Sequence, residues 1–225
     1  VLADSVENLY KVRLSENRYA YIPKEYASFA EFGTEPAKSL TGSWSVSTIG
    51  KADVVRVALD TKLPYIVRQE LDPSRIVVDI FGAECNTNWI TQYLNLGAIE
   101  YVDVNQVEGD IFRVIIKLKN KYSWGYKIGY TGNSLVVTVK HTPSLSLKDL
   151  VIGIDAGHGG SATGAVSPSG IKEKELNLSM AYVLKEELEK KGAKVILSRS
   201  EDVDVSMTER KATFDAANID LLVSI

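Results

Sequence analysis

The sequence predicts a multidomain chain: a β-rich N-terminal region followed by the truncated first half of an α/β domain with a mainly parallel sheet. Three observations carry this. Short runs rich in β-branched residues recur up to about residue 140, each bounded by turn-forming sequence. The composition then changes over residues 142–149, where Pro143 and two serines discourage regular structure. From Leu150 the order becomes strand, loop, helix, strand, helix, strand. Two consecutive strand–helix–strand units imply parallel strands joined by right-handed crossovers.

Residues 1–45 look separate from the β-rich residues after them. Tyr10-Lys11-Val12-Arg13-Leu14 and Tyr19-Ala20-Tyr21-Ile22 flank the turn Ser15-Glu16-Asn17-Arg18, which predicts a hairpin too small to fold alone. Residues 48–141 read as one β-rich domain. Its clearest strands are Val54-Val55-Arg56-Val57-Ala58-Leu59, Arg75-Ile76-Val77-Val78-Asp79-Ile80, the run from Ile111 to Leu118, and Leu135-Val136-Val137-Thr138-Val139. A short helix is expected around Asn88 to Leu96. Residues 142–149 form the linker, with His141 at its border expected on the surface.

Residues 150–225 supply the α/β pattern. Leu150-Val151-Ile152-Gly153-Ile154 is an apolar run of buried-strand type. A helix is predicted over residues 175–190, with Leu176, Met180, Val183, Leu184 and Leu188 on its apolar face and Gly192 as the glycine that ends it. A strand comes next, from Ala193 to Leu197. Ser206-Met207-Thr208-Glu209 is a capping box opening a helix that carries Met207, Phe214 and Ala217. The last residues, Asp220 to Ile225, predict a third strand.

Composition excludes some functions. A net charge of -3 gives no basic face for nucleic acid. No run of about 18 apolar residues exists to span a membrane, and the first ten residues lack the basic start and apolar stretch of a signal peptide. A chain that opens on Val1 is expected to be processed, trimmed or a fragment. Cys85, the single cysteine, excludes an internal disulfide and any multi-cysteine metal site, and is expected to be an inert thiol.

The chemistry concentrates after the first α/β strand, in Asp155-Ala156-Gly157-His158-Gly159-Gly160. Loops leaving the carboxyl ends of parallel strands commonly carry function. Glycines around one histidine permit tight turns and close approach of a ligand. Zinc binds neutral imidazole and carboxylate, so His158 is a candidate first ligand. Glu173, at the mouth of the following helix, can swing a carboxylate toward the same end of the sheet. Each residue has a plainer explanation. A glycine-flanked histidine alone is more often a turn residue, and an acid in a first helical turn is favoured by the helix dipole. The glycine cluster lacks the lysine-serine or lysine-threonine ending of a phosphate-binding loop. Glu209 is explained by its capping box.

Residues 151–225 nevertheless resemble the beginning of the zinc-dependent N-acetylmuramoyl-L-alanine amidases of the amidase 3 type. The resemblance rests on Ile154-Asp155-Ala156-Gly157-His158-Gly159-Gly160, on residues 169–178 around Glu173, on Leu197-Ser198-Arg199, on Val205-Ser206-Met207-Thr208-Glu209-Arg210 and on Asp220-Leu221-Leu222-Val223-Ser224-Ile225. It implies that His158 and Glu173 stand at two Zn2+-ligand positions, with a third histidine and a catalytic glutamate expected beyond Ile225. The 225 residues by themselves would then be inactive. The implied activity is cleavage of the amide between N-acetylmuramic acid and L-alanine of peptidoglycan by zinc-activated water. The alternative is a non-catalytic peptidoglycan-binding or envelope-structural protein on a degenerate amidase fold. Asp155, Arg199 and Arg210 are expected to support the loops, and no other cofactor is implied. Ala156 stands where the family usually has proline, and Asp215 where asparagine is commoner.

Residues 48–141 resemble the AMIN domain found ahead of such amidases, through Leu63-Pro64-Tyr65 and residues 76–83. That similarity implies targeting to the envelope. The segment Tyr19-Ala20-Tyr21-Ile22-Pro23 resembles the end of a bacterial SH3-like domain. The resemblances place the protein in the periplasmic or extracytoplasmic cell envelope, with peptidoglycan as partner and an envelope regulatory protein as a further one. Trp124, Tyr126 and Tyr130 are candidates either to stack on sugar rings or to pack.

Overall fold

Strand propensity and turn chemistry organise the first part of the chain into three sheets. In the computed structural model, which describes residues 1–86 and 95–225, the chain divides into Val1–Thr142 and Pro143–Ile225. The first unit opens with β1 (Leu2–Val6), β2 (Leu9–Arg13) and β3 (Tyr19–Pro23), an antiparallel sheet in that order. The expected hairpin is β2–β3, and β1 adds a strand that the sequence pattern did not reveal.

The remainder of this unit contains β4 (Ser39–Ile49), β5 (Ala52–Leu59), β6 (Tyr65–Leu71), β7 (Ser74–Phe81), β8 (Ala83–Glu84), β9 (Ile99–Val107), β10 (Ile111–Leu118), β11 (Tyr126–Thr131) and β12 (Ser134–Lys140). They form two sheets, ordered β6-β7-β10-β9 and β11-β12-β5-β4-β8. Alternate residues of both enter one core: Ile76, Val78 and Ile80 with Phe112, Val114 and Ile116 from one sheet, Val55 and Val57 with Leu135 and Val137 from the other. Period-two alternation is what lets each strand offer one apolar face to that core. The helix expected around Asn88 to Leu96 falls largely on residues 87–94, outside the described residues.

One choice left open by the sequence is narrowed here, and one expectation, for His141, changes. Trp124, Tyr126 and Tyr130 are partly buried, and Tyr126 and Tyr130 pack on the core. The Tyr130 hydroxyl donates to the Leu63 carbonyl at 2.8 Å and accepts from the Leu63 N–H at 3.0 Å, so this ring is anchored. His141 is not a bare surface residue either. Its Nε2 lies 2.8 Å from Oδ1 of Asp53, a fully buried carboxylate that also accepts the N–H groups of Gly97, Ala98 and Ile99. The segments concerned are far apart in sequence, so no local pattern announces the pair.

The second unit contains β13 (Val151–Asp155), α1 (Glu173–Lys190), β14 (Lys194–Leu197), α2 (Met207–Ala217) and β15 (Leu221–Ser224). The three strands are parallel in the order β14-β13-β15. Ile152 and Ile154 pack toward α1, with Ala181, Leu184 and Leu188 against them or their neighbours. Gly153 faces the opposite way. A Cβ there would stand 2.9 Å from the Phe214 ring, so glycine is what lets α2 approach β13.

Of the apolar face expected for α1, Leu184 and Leu188 pack inward and the other three residues do not. Leu176, Met180 and Val183 are 51%, 48% and 63% exposed, whereas Lys174, Asn177 and Ala181 are buried. The buried stripe is rotated by roughly a third of a turn from the apolar one. Hydropathy alone misplaces it because Lys174 and Asn177 have polar partners inside the unit: the Gly160 carbonyl and Asp202 for the lysine, the Gly157 carbonyl for the asparagine. The helix also begins at Glu173, two residues earlier than its periodicity indicated. The capping box is present: Ser206 Oγ accepts the Glu209 N–H, and the Glu209 carboxylate accepts the Ser206 N–H at 2.8 Å.

Candidate functional site

β13 runs out at Asp155 into the glycine-rich loop, whose backbone is fixed before any side chain is considered. The Gly157 N–H donates to the Ile225 carbonyl, and the Ile225 N–H donates to the Asp155 carbonyl, both at 2.9 Å. His158 has φ +59°, a left-handed conformation unusual for a residue with a Cβ. Gly159 and Gly160 continue in positive φ. The turn therefore throws the imidazole clear of the sheet instead of returning it to the core.

Two buried guanidinium groups hold this conformation. Arg199 Nε donates to the Ala156 carbonyl at 3.0 Å, and its Nη2 to the Gly157 carbonyl and the Lys174 carbonyl, both at 2.9 Å. Arg210 Nη1 bonds Asp155 Oδ1 and the Ala156 carbonyl, and its Nη2 reaches the His158 carbonyl at 2.8 Å. Burial, then the neighbouring Arg210 charge, lowers the pKa of Arg199 from its ordinary value. The Asp155 carboxylate lies between β13 and α2 and receives one of these charges. Each donor fork is rigid and planar, which suits a set of carbonyls in fixed positions.

Glu173 arrives from the other side as the first residue of α1. Its Oε2 accepts the Ala165 N–H at 2.7 Å, while its own N–H donates to the Ala165 carbonyl at 2.9 Å. The hydrogen bond from the Ala165 N–H is the main cause of a lowered Glu173 pKa, with smaller help from His158. His158 Nε2 and Glu173 Oε2 stand 3.4 Å apart, both side chains about two-fifths exposed. Gly164 sits directly beneath them at φ +66°. A Cβ there would lie 2.5 Å from Glu173 Oε2 and 2.7 Å from His158 Cδ2. An imidazole nitrogen and a charged carboxylate oxygen converge here, over a position that admits no side chain. This donor chemistry fits a zinc ion in part, because among the described residues no group of three His, Cys, Asp or Glu side chains gathers around one point.

Beside His158 an open cleft of about 540 Å³ is lined by Gly159, Ala162, Asp204, Met207 and Arg210 among others. Five residues that shape the site were given no role from the sequence: Lys174, Asn177 and Ser198, which lie inside the resembling blocks, and Asp202 and Asp204, which lie outside them. Ser198 Oγ accepts the Ala156 N–H, and the Asp204 carboxylate accepts the Ser161 N–H. One signal was readable. A lysine in the first turn of a helix opposes the helix dipole, so Lys174 needed a reason to be there.

The second unit is thus an α/β layer that presents a histidine and a glutamate at the carboxyl end of a parallel sheet, and the first contains a β-sandwich. Residues 152–225 match the family described as N-acetylmuramoyl-L-alanine amidase, and residues 45–139 match the AMIN domain. The N-acetylmuramoyl-L-alanine amidase AmiC of Neisseria meningitidis serogroup B is 44% identical over 75 residues, covering 33% of this chain and 18% of that protein. The amidase LytC of Bacillus subtilis is 37% identical over 108 residues, 44% of this chain and 22% of LytC. Among solved structures, the amidase AmiC2 of Nostoc punctiforme is 32% identical over 33% of this chain and 42% of that one, with a TM-score of 0.32. The matches span about a fifth of the length of the two curated relatives.

Proposed function

We propose that the chain is a peptidoglycan-directed protein of the periplasmic or extracytoplasmic cell envelope, and that its 225 residues serve as a wall-binding unit on an amidase fold. The observation that carries this is the pairing of the two family matches with a site that holds two metal-type donors, His158 and Glu173, and no group of three among the described residues. A catalytic zinc site needs about three protein ligands and an open position. Co-sedimentation with purified peptidoglycan is the test. Retention of the chain on the wall, with no peptide released, is the expected result; failure to sediment removes the reading.

A second reading is favoured by the convergence of His158 and Glu173: hydrolysis of the amide between N-acetylmuramic acid and L-alanine, in a polypeptide that adds the remaining groups. His158 and Glu173 would hold the zinc, which when bound supplies a Lewis acid for the scissile carbonyl and acidifies water. The chain's own contribution is orientation. Arg199 and Arg210 lock the loop carbonyls so that His158 faces outward, and the Ala165 N–H keeps Glu173 ionised and aimed. The full-length protein loaded with zinc is expected to release stem peptides from muropeptides. No release, with wall binding retained, decides for the binding role. An envelope regulatory protein acting on this site belongs with the hydrolytic reading.

A further inference from the structure

We propose that Lys174 is the positioning residue that sets the separation of His158 and Glu173, an inference that rests on the reading of those two as metal ligands. Lys174 is 6% exposed and occupies the second position of α1, where the positive end of the helix dipole disfavours a cation. Taking an ammonium out of water is costly unless its donors are used. Packing alone would be served better by an apolar residue, so the charge itself has a task.

That task is visible in the hydrogen bonds. Lys174 Nζ donates to the Gly160 carbonyl at 2.7 Å and to Asp202 Oδ2 at 2.6 Å. Asp202 Oδ1 accepts the Gly160 N–H at 2.8 Å. Gly160, at φ +56° inside the turn closed by the Gly159–Ala162 bridge, is therefore gripped at both its backbone groups by one ion pair. It lies two residues after His158, and Lys174 lies one residue after Glu173. The Lys174 N–H donates to the Thr163 carbonyl at 3.1 Å, and the Lys174 carbonyl accepts from Arg199, which also holds the Gly157 carbonyl. Every covalent path from His158 to Glu173 runs through this loop. The lysine closes it, so that the imidazole and carboxylate meet without touching Lys174 itself.

Lys174→Met keeps the length of the side chain and removes its charge; Lys174→Arg retains charge with a different shape. Calorimetric titration of the whole chain with zinc chloride is expected to show at least tenfold weaker binding in Lys174→Met and partial recovery in Lys174→Arg. Cooperative melting should persist in both. Zinc affinity equal to the parent's in Lys174→Met overturns the proposal. If the parent chain itself takes no zinc, the metal reading fails, and the positioning claim is judged by the imidazole 15N resonances of His158. These are expected to move in Lys174→Met in the same direction as in Glu173→Gln; unchanged resonances overturn it. Should Lys174→Met fail to fold, Asp202→Asn, at a half-exposed partner, carries the same two measurements.

Discussion

Arg210 bonds the Asp155 carboxylate and the His158 carbonyl with the two ends of one guanidinium, so the last residue of β13 and the candidate ligand share a single clamp. The strand end, the left-handed turn and the first half of α2 are consequently one mechanical unit. Disturbing any of them should be felt at the imidazole.

Arg210→Ala is expected to destabilise the second unit by about 3 kcal/mol, because it leaves a largely buried carboxylate and the His158 carbonyl without this donor and the Ala156 carbonyl with Arg199 alone. Native-state hydrogen exchange read by mass spectrometry on peptides covering β13 and α2 should show the loss. Protection equal to the parent's would contradict the clamp.

Gly164→Ala tests the pair directly. The new methyl must displace both Glu173 Oε2 and His158 Cδ2, and the alanine must adopt φ +66°. Left-handed alanine costs on the order of 1 kcal/mol, so folding should survive. Zinc affinity should fall further than in an alanine substitution at Gly170, where φ is also positive but nothing lies within 4 Å.

Asp53 supplies a pH prediction for the first unit. Burial works against its charge, but the N–H groups of Ile99, Ala98 and Gly97 and the His141 ring outweigh it, holding the pKa down to about 2 from 3.8. A depressed folded-state pKa gives stability that is complete above the unfolded value and is lost as pH falls through the folded one. The contribution is roughly 2 kcal/mol. Urea unfolding followed by tryptophan fluorescence should show this loss between about pH 4 and pH 2, and Asp53→Asn should flatten that part of the profile.

Ser206→Ala removes the acceptor for the Glu209 N–H and half of the capping box. A loss of about 1 kcal/mol is expected, with Glu209→Gln milder because the amide oxygen can still accept from Ser206. Thermal melting monitored by circular dichroism checks both, and equal stability of Ser206→Ala and the parent would contradict the assignment.

Much of the architecture was legible because it is local. Val54 to Leu59 and Ile111 to Leu118 alternate with the period of a strand, and both are strands. Leu150 to Ile154 is a continuous apolar run, and four of its five residues lie in β13, the central strand of its sheet. The capping box announced α2 from four letters. His158 and Glu173 could be singled out from glycine context and helix position, and the structure brings them to 3.4 Å.

What stayed hidden depends on partners distant in the chain. Hydropathy placed Leu176, Met180 and Val183 inward, yet the unit buries Lys174 and Asn177 because a loop carbonyl and Asp202 receive the ammonium and the Gly157 carbonyl lies near the amide. Asp53 and His141 are 88 residues apart and meet at 2.8 Å. Sequence by itself determined the strand and helix segments and the chemical candidates, since periodicity and capping are properties of neighbouring residues. Only the tertiary structure decided which charges are buried and which loop carbonyls they hold, because a buried cation is stable only where the fold delivers acceptors to it.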